Sequence, residues 1–382
     1  MKKLQLRTES IKNRNSSIEL LRIICMFMIV FHHFARHGEF QFFDYELTLP
    51  KLWYNFIIMG GKIGVNIFVL ISGYFLINNK TLFNFQRIKK TWDQVFFYSV
   101  VFEVFFVFLY FIIKQRLDLS NLLNSFFPIT TSQWWFASTY FVLYLMHPFI
   151  NKTLLSISKK TYQGILLSAA FCWCIIPTFT KSGYESNSLL WFAFLYSLSG
   201  YIKLYGFNPK IKNYHYAISA LIASVIMYLS SVFISFLGTK IPDFNLPSNY
   251  FYSTQSLTVF LVSVCLFMTF ATTSIKSNRI IKTIASATFG VYLIHENHFL
   301  RNIFWQTVFK NANYQNTLKL IPVSVVAVVI VYIVCTIIEL IRQVFIEKTF
   351  SKITDILLMP FKKFLLLLTK HASALFNQNT QI

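Results

Sequence analysis

Arg22 and His33 lie eleven residues apart inside the first membrane-length apolar stretch of this chain, and an acid, Glu19, stands one turn before the arginine. An ionisable group in hydrocarbon costs about 3 kcal/mol or more, so such groups are rare there and mark function by default. At ~100° per residue, eleven residues sweep about 1100°, three turns plus roughly 20°. Glu19 falls within about 60° of Arg22, so Glu19, Arg22 and His33 share one face of one helix. His32 points about 100° away and reads as a packing histidine. An imidazole that titrates near neutrality can take a proton from a hydroxyl, or can itself accept an acyl group. A guanidinium cannot lose its proton and needs an anionic or strongly polar partner. That partner is either a substrate or Glu19, the latter a purely structural ion pair. A second polar group, His295-Glu296 with His298 and Arg301 one turn on, follows a helical run through Tyr292. Measured along their helices, His33 and His295 reach compatible depths, about 24 Å and about 16 Å from opposite starting points of count. Two histidines meeting at one depth describe a polar cavity open to the outside, or else an interfacial cluster.

These side chains need a scaffold of membrane helices. Of 382 residues, 55% are apolar, 19% aromatic and only 13% charged, against about 25% charged in soluble domains. Apolar stretches of membrane length recur throughout, predicting an all-α, polytopic membrane protein. About ten spans are expected: 17–36, 52–77, 92–113, 132–150, 163–180, 188–205, 216–237, 254–274, 284–304 and 317–341. The first follows a basic stretch, yet it contains Arg22 and lacks a small-x-small cleavage site, so it is expected to be a retained span. Lys and Arg fall in alternating connections, 24 of the 35 on one side, with Arg22 the one cation inside a span. By the positive-inside rule both termini are cytoplasmic. The net charge of +21 therefore sets topology and contacts anionic lipid, and nucleic acid is excluded as a partner. The five cysteines lie within spans without metal-ligand spacing, so no metal is expected. Residues 1–341 form one integral domain, and 342–382 a basic tail whose 352–369 stretch resembles a membrane-surface helix. Outer loops are short, so an active site must be built between helices.

Other residues carry weaker signals. Small residues at 60, 61, 64, 72 and 73 let a helix or a ligand approach the backbone closely, and Asn66 is a buried amide that needs partners. Ser72-Gly73 lacks the strand-turn-helix elbow of a serine nucleophile. Arg87, Lys89 and Lys90 suit either the phosphates of a cytoplasmic nucleotide or simple topology control. Trp134, Trp135 and Phe136 suit either an interfacial belt or sugar stacking. Asp93 and Glu103 are buried acids with no partner assigned.

Taken in order, these pieces resemble the integral-membrane acyltransferase-3 family, whose members O-acylate bacterial surface polysaccharides. The match runs from Glu19-Leu-Leu-Arg22 and the Arg-x10-His spacing to Gly64-Val-Asn-Ile-Phe-Val-Leu-Ile-Ser72-Gly73. It continues through the basic loop at Arg87, the Trp134-Trp135-Phe136 helix with Tyr140, Tyr144 and Pro148, and Phe289-Gly-Val-Tyr-Leu-Ile-His295. Asn66 stands where many members carry Asp. The resemblance implies a multi-pass enzyme of the bacterial plasma membrane that moves an acyl group, usually acetyl, from acetyl-CoA to a hydroxyl of a surface polysaccharide or lipid-linked glycan. It implies catalytic roles for His33, Arg22 and Glu19, and acceptor contacts from His295, Tyr292, Trp135 and Asn66. Arg87, Lys89, Lys90, Ser72 and Gly73 would face the donor, and the polysaccharide-synthesis machinery would be the partner. His33 is left as either base or acyl carrier. An exporter of a glycan, or an assembly partner of a polysaccharide synthase, is the competing reading.

Overall fold

A computed structural model describes residues 15–79, 84–112, 119–180, 182, 188–206, 210–364 and 367. The chain is 81% helical, and no strand occurs among the described residues. In chain order the helices are α1 (Ser16–Arg36), α2 (Leu49–Leu76), α3 (Phe85–Ile112), α4 (Leu119–Ser125), α5 (Trp135–Ser156), α6 (Lys159–Thr180) and α7 (Ser188–Tyr205). There follow α8 (Asn213–Lys240), α9 (Leu257–Thr272), α10 (Arg279–His295), α11 (His298–Asn302), α12 (Leu320–Ile341) and α13 (Glu347–Leu357). Six helical stretches are long and apolar enough to cross a membrane: α1, α2, Phe85–Leu109 of α3, α6, α8 and Leu320–Leu357, which joins α12 to α13. Along α8, Leu221, Ile222, Ile226, Leu229 and Phe233 are exposed. A row of that kind fits hydrocarbon as its solvent, since every helical backbone group is already satisfied within the helix. This is a polytopic helical membrane protein.

The expected span 284–304 is corrected by the structure. Helix α10 stops at His295, Glu296 and Asn297 form the break, and α11 starts at His298. The physical reason is local: the Asn297 side chain accepts from the backbone of Phe299 (3.1 Å) and Leu300 (3.4 Å), capping a new helix. A second correction concerns charge. Lys51, Lys89, Lys282 and Arg342 are all more deeply buried than Arg22. Helices extend beyond their most apolar windows, and at those ends a packed face can hold a paired cation. The basic N-terminal stretch and the end of the tail lie outside the described residues.

The chain divides into two compact units. The first comprises Met1–Phe75 and Ser158–Ile337, the second Leu76–Ile157 and Ile338–Ile382. In the first unit, α2 packs on α1 and α7 through glycines. A Cβ at Gly61 would collide with the His32 ring, and one at Gly73 with the Tyr196 carbonyl and Ser199 Oγ. The small-residue stripe thus serves helix approach.

The second unit is held by buried charge. Arg342 Nε and Nη2 donate to both oxygens of Glu339 (2.8 and 2.9 Å). Gln94 Nε2 (3.0 Å) and Tyr98 Oη (2.7 Å) donate to the same carboxylate. Breaking a buried pair from one side leaves an uncompensated charge. We expect Glu339→Gln to lower stability by about 3 kcal/mol, with Glu339→Leu/Arg342→Leu recovering most of it. Thermal unfolding of detergent-solubilised protein checks this, and a double variant no better than the single would refute it.

Candidate active site

Helices α1 and α10 lie side by side, pinned at one end by three polar contacts. The Asn15 side chain caps α1 by accepting from Ser17 N (2.9 Å). Ser17 Oγ donates to the Phe270 carbonyl (2.7 Å) at the end of α9. Asn278, the N-cap of α10, donates its N–H to Ser16 Oγ (3.0 Å). At the other end Asn311 Nδ2 donates to the Phe34 carbonyl (3.0 Å). With both ends fixed, the side chains of the last turn of α1 meet those of the α10–α11 break.

There, four titratable side chains touch. His33 Nδ1 lies 2.8 Å from His295 Nε2 and 3.2 Å from Glu296 Oε2. His37 Nε2 lies 3.1 Å from the same oxygen, and Arg301 Nη1 lies 3.7 Å from Glu296 Oε1. His295 is fully buried, and His33 and Glu296 are nearly so. The network assigns the protons. His295 Nδ1 has the Val291 carbonyl 2.6 Å away and must donate to it, so in the neutral ring Nε2 is an acceptor. His33 Nδ1 therefore faces two acceptors, an imidazole nitrogen and a carboxylate, and carries a hydrogen. Its Nε2 is left with a lone pair. Glu296 holds the ring in that tautomer and would stabilise the imidazolium formed when Nε2 takes a proton, the division of labour seen in nucleophile–base–acid triads. The helix break is what makes this possible: as the C-cap of α10, Glu296 leaves the helical path and turns toward α1.

The other predicted residues are placed as follows. Glu19 is buried and sits 3.7 Å from Arg22, whose side chain keeps 29% exposure. Tyr292 is buried beside the His295 ring, with centroids 6.3 Å apart. Asn66 is not open to a substrate. Its Nδ2 donates to the Thr254 carbonyl (2.9 Å) and its Oδ1 accepts from Trp191 Nε1 (3.0 Å), so it ties α2 to α7 and to the 254 loop. Ser72 Oγ donates to Phe68 O of its own helix (3.0 Å), and Gly73 is filled by α7, so both are packing residues. Lys89 is buried with its ammonium on Asp93 (2.6 Å), Ser351 (2.7 Å) and Thr354 (2.8 Å), so it is committed to its own unit rather than to a phosphate. Lys90 pairs with Glu347 at 3.0 Å and stays exposed, as does Arg87. Trp135 is partly exposed in the second unit, whereas its neighbour Trp134 is buried. His32, read as a packing residue, donates Nδ1–H to the Ile58 carbonyl (2.7 Å) but also lines an open cavity.

Sequence reasoning assigned no role to Glu296 or His37. The signal for the first was present: a helical run closing on His-Glu-Asn-His, with Asn at the N-cap of whatever follows, is a helix break that puts its acid off the helix axis. His37, one turn beyond His33, had no such mark.

The comparisons agree with the geometry. A family model for acyltransferase-3, described as an acyltransferase domain, matches residues 15–340. No curated protein and no solved structure matches the chain. The matched stretch includes both partners of the buried pair, His33 and Glu296, and the chain belongs to the acyltransferase-3 family as a membrane acyltransferase.

Proposed function

We propose that the protein is an O-acyltransferase of the bacterial plasma membrane that moves an acyl group, acetyl foremost, from cytoplasmic acyl-CoA to a hydroxyl of an extracytoplasmic glycan. The observation that carries this reading is His33 with Nδ1–H held by Glu296 and Nε2 left as a base. The acceptor oxygen attacks the thioester carbonyl while Nε2 takes its proton. The new C–O bond forms, the C–S bond breaks, and the proton passes from the imidazolium to the departing thiolate. Attack by Nε2 itself, giving an acyl-imidazole that the hydroxyl then discharges, uses the same lone pair.

Coenzyme A is charged and cytoplasmic whereas the acceptor is outside, so the thioester must enter the bundle. Arg22, about 16 Å along α1 from His33, is the cation that would orient it, with Glu19 holding the guanidinium from one side. Arg87 and Lys90, exposed on α3, are the residues that would meet the coenzyme's phosphates. Because a point charge does not replace a planar fork, Arg22→Lys should lower acyl transfer about tenfold or more, read as donor turnover by isolated membranes. Ligand-capable atoms of His33, His295 and Glu296 also lie within 4.8 Å of one another. The base reading predicts unchanged activity after treatment with 1,10-phenanthroline. Loss restored by Zn²⁺ would assign a metal to these three residues instead.

The decisive experiment compares the ester content of surface polysaccharide from deletion and complemented cells by NMR and mass analysis. Esters that vanish on deletion and return with the gene support the reading. Unchanged esters with a retained glycan would move the assignment to an exporter.

A further inference from the structure

Next to the histidine cluster, the first unit holds a cavity of about 550 Å³, within the range of small-ligand sites. One wall is His32 and Arg36, four residues apart on α1. A second is Ile58 and Lys62, four apart on α2. The loop before α9 supplies Asn249, Tyr250 and Gln255. The His32 ring stands 5.5 Å, centroid to centroid, from that of His33, and Lys62 acts electrostatically on His32, His33 and Glu296. The cavity and the proposed base are therefore neighbours in one unit.

The charge of this cavity is one-sided. Arg36 and Lys62 line it and repel one another, and no carboxylate is among its lining residues. The nearest acid in electrostatic reach of Lys62 is Glu296, already engaged by His33, His37 and Arg301. Two cations converging in a partly desolvated pocket leave an excess of positive potential that an anion would balance. The remaining lining groups suit a sugar. The Asn249 and Gln255 amides offer both donors and acceptors, Tyr250 offers a ring, and His32, with Nδ1–H given to Ile58, keeps Nε2 as an acceptor for a hydroxyl.

The loop is also held in advance of any ligand. Asn66 Nδ2 fixes Thr254 O at 2.9 Å, Leu257 N donates to Thr178 Oγ1 at 2.8 Å, and Asp44 accepts from Ser248 N and Oγ at 3.0 and 2.7 Å. Pre-ordering lowers the entropy lost on binding. It also gives Asn66 a purpose: it positions the cavity wall without touching its occupant.

We propose that this cavity is the acceptor site and that it selects an anionic glycan unit, a sugar bearing a carboxylate or a phosphodiester. Arg36 and Lys62 pair with the anion, and a nearby hydroxyl of the same unit is presented to His33 Nε2. The inference rests on the acyl-transfer reading of His33, and it assigns the substrate class that this reading leaves open.

The test uses the full-length chain in phosphatidylcholine nanodiscs, which supply no anionic lipid. Binding is measured for three probes: an oligosaccharide containing glucuronic acid, a glycerol-phosphate oligomer, and neutral maltotetraose. At least one anionic probe should bind, about tenfold or more tighter than the neutral sugar, since a hydrogen-bonded charge pair contributes about 1.5–3 kcal/mol. Which anionic probe binds tells carboxylate from phosphodiester. Arg36→Gln and Lys62→Gln should each weaken that probe about tenfold and leave the neutral sugar unchanged. Wild-type affinity for it should fall as salt rises. His33→Ala should retain binding.

Equal affinity for neutral and anionic probes, no binding by any probe to protein with a cooperative melt, or indifference to both substitutions would each overturn the proposal. So would displacement by phosphatidylglycerol at equal affinity, which would make the cavity a lipid site. Charge-independent binding alongside loss of esters in His33→Ala cells would sink this inference alone. Charge-selective binding with full esterification in those cells would sink the acyl-transfer reading instead.

Discussion

Cells carrying His33→Ala in place of the wild-type chain make a surface polymer without its ester, while the protein still inserts and accumulates in the membrane fraction. The expected loss is about 10³-fold or more, the scale on which removing the central base of a triad acts. The size follows from the geometry. His33 presents the one imidazole nitrogen in the cluster whose role the network leaves open, because its other nitrogen is fixed by Glu296 and His295 and His295 is fixed by Val291. The neighbouring His32 cannot substitute, since its Nδ1 is bound to the Ile58 carbonyl and its ring faces the cavity from a different angle on the helix. Fold is not at stake: the α1–α10 pairing keeps the contacts at Ser16, Ser17 and Asn311. A fully esterified polymer from these cells would remove His33 from the mechanism.

Glu296→Gln has the second-largest expected effect, a loss of about 10²–10⁴-fold in acyl transfer at near-normal protein level. The amide keeps the shape of the carboxylate but presents both an N–H and a carbonyl to His33, so the ring loses its fixed tautomer and its counter-charge together. Glu296→Asp retains the charge on a side chain one methylene shorter and should fall between the two. Donor hydrolysis and transfer by isolated membranes, normalised to protein by immunoblot, separate these cases. If Gln and Asp variants were equally active with wild type, Glu296 would be a structural anchor for His37 and Arg301 and not a partner of the base.

Several assignments made on residue type changed for one reason. Asn66, Ser72, Gly73 and Lys89 are polar or small residues inside apolar helices, and such residues serve either a ligand or a neighbouring helix. In this fold the neighbours take them. Trp191 and Thr254 satisfy Asn66, Tyr196 and Ser199 abut Gly73, and Asp93, Ser351 and Thr354 surround the Lys89 ammonium. Each of these partners except Asp93 is more than a hundred residues away in sequence, where neither hydropathy nor helical spacing can find it. The expected single span 284–304 failed differently: its mean apolarity hid a two-residue break whose capping chemistry was legible in Asn297.

By itself the sequence determined that this chain is a bundle of membrane helices and that Glu19, Arg22 and His33 lie along one face of the first. Those are consequences of local composition and of a fixed rotation per residue, which need no partner to be known. The tertiary structure alone decided that Glu296 rather than Glu19 holds the histidine, and that His32 opens on a cavity with Arg36 and Lys62. A proton-transfer site is a matter of ångströms between atoms, and the distance between residues 33 and 296 is set only when their helices pack.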